Sequence, residues 1–543
     1  MALLAGATRR TWRGEALMGV TLAAMSAPVA MAFAQFAGLP PVAGLYSLIV
    51  PGIVFALFAA TGRLTAAPDA AVVALLAATL TPLARPGTSA YAELAAAQAL
   101  VAGGAFALIT LFGLGRLTVL LPRPVLLGFG AAVALDLLTR EIAAMFGVRL
   151  ARRVTDAAAD GFPHHARALV AGLGTADVWA IAVAAGTLLI LLLGRRIARR
   201  LPWELAAALA AFASYRVFDL GPRGVATVGA IDGGRPPLGL PALAAGDWLA
   251  VIPGALVIAL AALALHQDED AGYQPAAARS GIVYGLANAA SGLSGGFALG
   301  PSPLRRARLD ELRSTSQLPT LVAALLVLGA VVFGAGFLGD LPTPAFGAIA
   351  AVATWPLLRL RDARALWRTT KGEFLLALLV FAATLAFGPL WGLAGAAAIG
   401  LLRVLRAASA PPLDVIDGDG RPIASLRRGS PPPRPSAPGI VIVRLAAPVD
   451  AASAGALARG IRLAASGADA GIRHLVLDGE AITGIDATGA AVLRTALAEL
   501  AERGISVDYC RARAVLRVEL EHHGLLAGSR VFRTCREALD ELS

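Results

Sequence analysis

The chain is 543 residues long, 57% hydrophobic and only 15% charged, with a formal net charge of +11. Soluble domains carry about a quarter charged residues, so one water-soluble fold throughout is excluded. The excess charge is almost all arginine and lies between apolar runs, while residues 439–543 hold 12 Arg against 13 Asp and Glu, which excludes a polyanion-binding tail.

Apolar runs recur from Leu17 to Leu405, so the sequence predicts a polytopic helical membrane protein. The first, Leu17 to Phe36, is long enough to cross a hydrocarbon core of ~30 Å and is interrupted at Pro28. Arg9, Arg10 and Arg13 precede it like the start of a signal peptide. The run is too long and has no small-residue cleavage site, so it is expected to be a retained span. A second run, Leu45 to Ala60, follows the elbow Gly38-Leu39-Pro40-Pro41. Pro68 then restarts the pattern; proline is tolerated in a first helical turn, where its N–H has no partner to lose, so a helix is expected to begin there.

Further apolar segments are expected at 68–83, 92–114, 117–146, 177–194, 201–219, 247–265, 279–297, 302–313, 317–338, 343–358, 373–388 and 390–405, about fourteen in all. Arg63, the group Arg195, Arg196, Arg199 and Arg200, the group Arg359, Arg361, Arg364, Arg368 and Lys371, and Arg403 with Arg406 all follow an even number of segments. Positive loops stay in the cytoplasm, so both termini are expected there, in a cell inner membrane. The exceptions, Arg149–Arg153 and Arg167, share their loop with Asp156, Asp160 and Asp177. A second interrupted region, GLANAASGLSGGFALGPSPLRRAR at 285–308, would place Ser302 as an N-cap with Pro303 in the first turn. One broken segment in each half is the pointer to an inverted repeat, whose half-helix starts meet near the bilayer midplane. Such starts direct unpaired N–H groups and a positive dipole end at an anion.

The transmembrane domain is expected over 1–406. Residues 407–438 read as a Pro/Gly/Ser/Arg-rich linker unable to bury a core. From 439 to 543 strands at 440–445, 474–479 and 505–510 alternate with helices at 452–465, 487–503, 513–523 and 534–542, an α/β domain. Cys510 and Cys535, the only cysteines, both lie here and make no disulfide framework.

With these segments in place, the chain resembles the sulfate permease (SulP) family of anion transporters, whose tail is a STAS domain. The resemblance is carried by SAPVAMAFAQFAGLPPVAGLYS in the first two spans and AAPDAA at the third. It continues in GLANAASGLSGG, Ser302 and Arg305, ALWRTTKGEF, and LVLDG…GIDATG. It implies a seven-plus-seven inverted repeat, a core domain moving against a gate domain, a homodimer in the lipid bilayer, and a small inorganic anion held between the starts of spans three and ten. Residue by residue, Phe33 matches the site aromatic, Pro68 and Asp69 the start of span three, and Leu304 and Arg305, after Ser302, the start of span ten. Val29 stands where many members have Gln, Ala67 replaces a Gly, and Leu304 replaces a small polar residue. An acidic residue suited to cation coupling in many members falls near Ala264, with His266 and Asp268 just beyond.

Each candidate has a plainer reading. Asp69 is either a carboxylate tuning the anion cavity or an N-cap satisfying helix N–H groups. Arg305 is either a counter-charge or an arginine snorkelling to the surface, and a lone Phe33 is more often packing. Asp136, Arg140 and Glu141 have the spacing of a structural intrahelical pair. His164 and His165 have no ligand partners at metal spacing and read as a solvated loop. In Asp486-Ala487-Thr488-Gly489, Ala487 occupies the position phosphorylated in soluble STAS proteins, so a phospho-switch is not expected; Thr488 reads as an N-cap and the tail as an interaction module for a cytoplasmic protein. No cofactor, metal, nucleic acid or catalysis is expected. The leading function is secondary anion transport by alternating access. The alternative is a membrane-tethered sensor or scaffold that has lost transport, and a nucleobase permease is disfavoured by the tail.

Overall fold

The computed structural model describes residues 12–59, 64–148, 161–198, 201–229, 231, 234–269, 277–426, 433–466 and 471–543, without the side chains of 266–269 and 277–279. Arg9, Arg10, Arg63, Arg149–Arg153, Asp156, Asp160, Arg199 and Arg200 lie outside the described residues, as do the side chains of His266 and Asp268. The chain divides into two compact units, one ending at Ala398 and the other beginning at Ile399.

The first unit is helical. Its elements are α1 (Trp12–Ala37), α2 (Pro41–Phe58), β1 (Ala66–Ala67), α3 (Ala70–Leu80), α4 (Ser89–Leu111), α5 (Arg123–Met145), α6 (Phe162–Gly172), α7 (Val178–Ile197) and α8 (Trp203–Val217). Then follow α9 (Ala245–Glu269), α10 (Ala277–Leu293), β2 (Gly300–Pro301), α11 (Pro303–Leu312), α12 (Leu318–Phe333), α13 (Ala335–Gly339), α14 (Thr343–Thr354), α15 (Leu360–Thr369), α16 (Lys371–Phe387) and the first half of α17 (Pro389–Ser409), whose remaining residues fall in the second unit. A helix occupies every apolar segment read from the sequence. Among the described residues, six are long and apolar enough to cross a membrane: α1, α2, α4, α7, α9 and α17; the short 3₁₀ turn Leu114–Leu120 and α5 reach that length and apolarity only together, with a 75° bend between them.

The order of elements repeats. The strand β1 and short helix α3 follow α1 and α2, and β2 and short α11 follow α9 and α10 in the same way. The two strands pair antiparallel, Ala66 opposite Pro301 and Ala67 opposite Gly300. Small residues let the helices around them approach closely, as expected where apolar attraction between helices is weak. A side chain at Gly44 of α2 would lie 2.1 Å from the Ala30 carbonyl oxygen of α1.

The second unit holds a six-stranded sheet in the order β4-β3-β5-β6-β7-β8. Its strands are β3 (Leu413–Ile416), β4 (Pro422–Ser425), β5 (Ile440–Leu445), β6 (His474–Asp478), β7 (Ser506–Cys510) and β8 (Val531–Phe532). β5, β6, β7 and β8 run parallel and β3 pairs antiparallel with β5. Helices α18 (Ala454–Ala465), α19 (Ala487–Glu502), α20 (Ala514–His522) and α21 (Cys535–Leu542) complete it. Strand side chains alternate between faces: Val441, Val443, Leu475 and Leu477 share a core with Leu457, Ile461 and Leu493, whereas Ile440, Ile442 and Val476 pack with Cys535, Ala538 and Leu542 of α21.

Residues 407–438, expected as a coreless linker, contribute β3 and β4. Leu413, Val415 and Ile416 are buried, a hydrophobic strand within a Pro- and Gly-rich surrounding. Thr488 is not the cap of α19. Asp486 is, accepting from the Gly489 N–H at 2.6 Å.

Candidate functional site

Both short helices begin at the paired strands, and their caps differ. In α3 the cap is Asp69, whose Oδ1 accepts from Ala71 N at 2.9 Å and Val72 N at 3.4 Å. Pro68 therefore lies before the cap, and the expected helix start at Pro68 moves to Ala70: a carboxylate that accepts two first-turn N–H groups fixes the start more strongly than a proline's ring. In α11 the cap is Ser302 with Pro303 in the first turn, as the sequence predicts; its Oγ accepts from Arg305 N at 3.5 Å. Thr65 donates to the Ser302 carbonyl at 3.1 Å, and the buried Tyr284 hydroxyl donates to the Thr65 carbonyl at 3.0 Å. Asn288 holds the backbone before β2, accepting from Leu299 N at 2.8 Å and donating to the Leu299 carbonyl at 3.1 Å. The crossing is thus tied down by hydrogen bonds from α10 and from both strands.

One pocket lies at this crossing, with an empty volume of about 410 Å³ including its opening. Phe33, Pro68, Asp69, Ser302, Leu304 and Arg305 all line it, so the six residues singled out in the sequence are brought together. Val29 lines it too, as do Ser26, Ala353, Thr354 and Leu357. Sequence reading missed Ser26 and the last three because nothing in an Ala-rich helix end marks its approach to elements some 300 residues away. Ala264 is buried but is not among the lining residues.

The electrostatics of the pocket follow from its partners. Asp69 is 7% exposed and Arg305 4% exposed, and no ion pair joins them among the described residues. Arg305 Nη1 donates to the Ala66 carbonyl at 3.0 Å, while its Nε has no partner. Ser26 Oγ and Thr354 Oγ1 are also buried without a partner. Buried polar atoms are nearly always hydrogen bonded, because leaving one unmade costs about 1–3 kcal/mol. Ser26, Arg305 and Thr354 all line the pocket, and each carries one such unpartnered atom. The first-turn N–H groups of α3 are not among these atoms, since Asp69 already occupies two of them.

The other candidates fall elsewhere. Asp136 meets Arg140 at 3.9 Å, and His165 Nδ1 lies 2.7 Å from Asp136 Oδ1. His165 is buried on α6 rather than in a solvated loop. Its partner is 29 positions back, so local spacing could not reveal it. Glu141 is buried on α5, and the Arg140 guanidinium lies over the Phe36 ring at 4.5 Å.

The description of the sulfate permease family matches residues 13–380, and that of the STAS domain residues 432–538. The chain belongs to the sulfate permease family. It is 32% identical over 528 residues to the "Probable sulfate transporter" of Mycobacterium tuberculosis strain H37Rv, covering 95% of this chain and 92% of that one. Among solved structures, the murine solute carrier 26 family member A9 anion transporter in its inward-facing state matches with a TM-score of 0.83 at 18% identity, over 98% of this chain and 92% of that chain. The transmembrane domain of a cyanobacterial bicarbonate transporter matches with a TM-score of 0.59 at 19% identity, over 71% and 98%. These likenesses establish a multi-pass transporter fold with a C-terminal STAS domain, in a family of anion transporters.

Proposed function

We propose that this sulfate permease family member is a secondary transporter, not an enzyme, that moves small inorganic anions of the sulfate, bicarbonate or chloride class by alternating access. The anion sits between the starts of α3 and α11. Arg305 supplies the counter-charge, Ser26 and Thr354 supply neutral donors, and Phe33 forms an apolar wall. The observation that carries this reading is that Arg305, Ser26 and Thr354, each with an unpartnered polar atom, line one pocket together with the starts of α3 and α11. A dehydrated anion satisfies all three at once, and hydrogen bonds to a charged group are worth about 1.5–3 kcal/mol each. Asp69 caps α3 and sets a negative charge at the same pocket, which limits how strongly a divalent ion is held.

The names of the relatives span sulfate and bicarbonate, which supports the substrate class without choosing within it. The protein works as a homodimer in the inner membrane with both termini in the cytoplasm, where the STAS domain meets a protein partner. Uptake of labelled sulfate, bicarbonate and chloride into proteoliposomes tests the reading. Accumulation of at least one of them, weakened by Arg305→Ala, is expected; accumulation of none removes transport of this class and leaves the sensor or scaffold role.

A further inference from the structure

The C-terminal unit holds a second chemical cluster. Cys510 ends β7 and Cys535 opens α21, with their sulfur atoms 2.8 Å apart and both residues buried. A carboxylate oxygen of Asp478, the last residue of β6, lies within 4.8 Å of both sulfurs. Three such ligands fit the outline of a metal site, but the carboxylate is already held. Arg444 Nε donates to its Oδ2 at 2.6 Å, Arg511 Nε donates to its Oδ1 at 3.0 Å, and Arg511 Nη2 donates to Oδ2 as well. Arg511 Nη1 also meets Glu480 at 2.5 Å, so two guanidinium groups balance two carboxylates here, and Asp478, held by both, is not free to ligate a cation.

Which sulfur carries the negative charge follows from position. Cys535 is the first residue of α21, where free N–H groups and the helix dipole favour a thiolate. The hydrogen bond from Cys510 holds the Cys535 thiol below its usual range, with the Arg511 guanidinium adding to the effect. The same bond, and burial, push the Cys510 thiol up. One sulfur is thus disposed to attack and the other to follow, at a separation that needs little movement to reach a bond of about 2.05 Å.

We propose that Cys510 and Cys535 form a peroxide-responsive pair that closes to an intramolecular disulfide and staples α21 to the sheet. The Cys535 thiolate attacks one peroxide oxygen; the O–O bond breaks, hydroxide leaves, and a proton from solvent makes it water. Cys535 is now a sulfenic acid. The Cys510 sulfur then attacks the Cys535 sulfur, the S–O bond breaks, and a second water leaves with the Cys510 proton. In sum two thiols are oxidised to a disulfide, and one hydrogen peroxide is reduced to two waters. Both sulfurs are buried, which excludes bulky thiol reagents from the folded protein. The step that closes the bond acts on α21, whose Ala538 and Leu542 pack against the sheet; oxidation therefore fixes the last helix of the STAS domain.

The chain has only these two cysteines, so a thiol count on the whole protein reads this site alone. Full-length protein in detergent is exposed to hydrogen peroxide, quenched with catalase, denatured, and its free thiols are counted by maleimide addition and intact mass. Untreated protein is expected to take two maleimides. Peroxide-treated protein is expected to take none, to be lighter by two hydrogen atoms, to migrate as a monomer without reductant, and to regain both thiols with dithiothreitol. Two maleimides after peroxide, oxygen atoms retained on sulfur, or a disulfide-linked dimer would each overturn the proposal. So would thiols masked before treatment and released by a chelator, which would make the cluster a metal site. Cys535→Ser is expected to leave Cys510 fully labelled after peroxide, and loss of that label would reverse the assigned order. The wild-type mass measurement stands even where that variant does not fold.

Discussion

Asp69→Asn separates the charge of the carboxylate from its structural work. Asparagine caps a helix about as well as aspartate, so the bonds to Ala71 N and Val72 N are kept and α3 should start where it does now. What changes is one negative charge at the pocket. Two unit charges about 8 Å apart interact by about 2 kcal/mol at an effective dielectric of about 20. A divalent anion feels twice the repulsion of a monovalent one, so the substitution should favour sulfate over chloride by about 2 kcal/mol, or roughly 30-fold. The assay is competition in proteoliposomes: the concentration of each unlabelled anion that halves uptake of the transported label, for wild type and Asp69→Asn. Asp69→Ala is the control, expected to lose the cap and about 1 kcal/mol of stability. Equal shifts for both anions, or no shift for either, would refute the electrostatic reasoning and leave Asp69 as a cap alone.

Other outcomes follow from the same geometry. Arg305→Ala should weaken anion binding by about 1.5–3 kcal/mol, roughly ten- to more than a hundredfold in apparent affinity. Arg305→Lys, which lacks the planar fork, should recover only part of it, as read from the concentration dependence of uptake. Ser26→Ala and Thr354→Val should each raise the half-saturating concentration while leaving the melting temperature unchanged, because neither hydroxyl has a protein partner to lose. Gly300→Ala would place a methyl 2.8 Å from Val72 Cγ2; overpacking of this kind costs about 1–3 kcal/mol, and a lowered melting temperature together with lost uptake is expected. Closing the 25-residue separation between Cys510 and Cys535 should stabilise the STAS domain by about 3.5 kcal/mol, measured as a rise in its melting temperature on peroxide treatment.

Much of this architecture was legible in the residues. Ser302 followed by Pro303 marked the start of α11 because side-chain capping and a proline in the first turn are local signals. Near Asp69 the same logic misplaced the helix start by two residues, since proline tolerates a first turn but the carboxylate defines it. The pairing of β1 with β2 carried no signal at all: Ala66-Ala67 and Gly300-Pro301 have neither alternation nor β-branching, and what holds them is a set of hydrogen bonds between residues more than 200 positions apart. The Ala66 carbonyl that anchors Arg305 was invisible for the same reason, as was the approach of Ser26 and Thr354 to one pocket. His165 looked solvated because its carboxylate, Asp136, sits on another helix. In the tail, β5, β6 and β7 were plain from their apolar runs, whereas the two-residue β8 is too short to carry a pattern and β3 and β4 were masked by the prolines and glycines around them.

The central claim is that an anion occupies the pocket between the starts of α3 and α11. Anomalous diffraction from crystals grown with bromide in place of chloride, or selenate in place of sulfate, locates such an ion directly. The account expects a peak within hydrogen-bond reach of Arg305 Nε, between Ser26 and Thr354, that disappears in Arg305→Ala. An ion bound elsewhere in the membrane domain with this pocket empty, in protein that still transports, would contradict it.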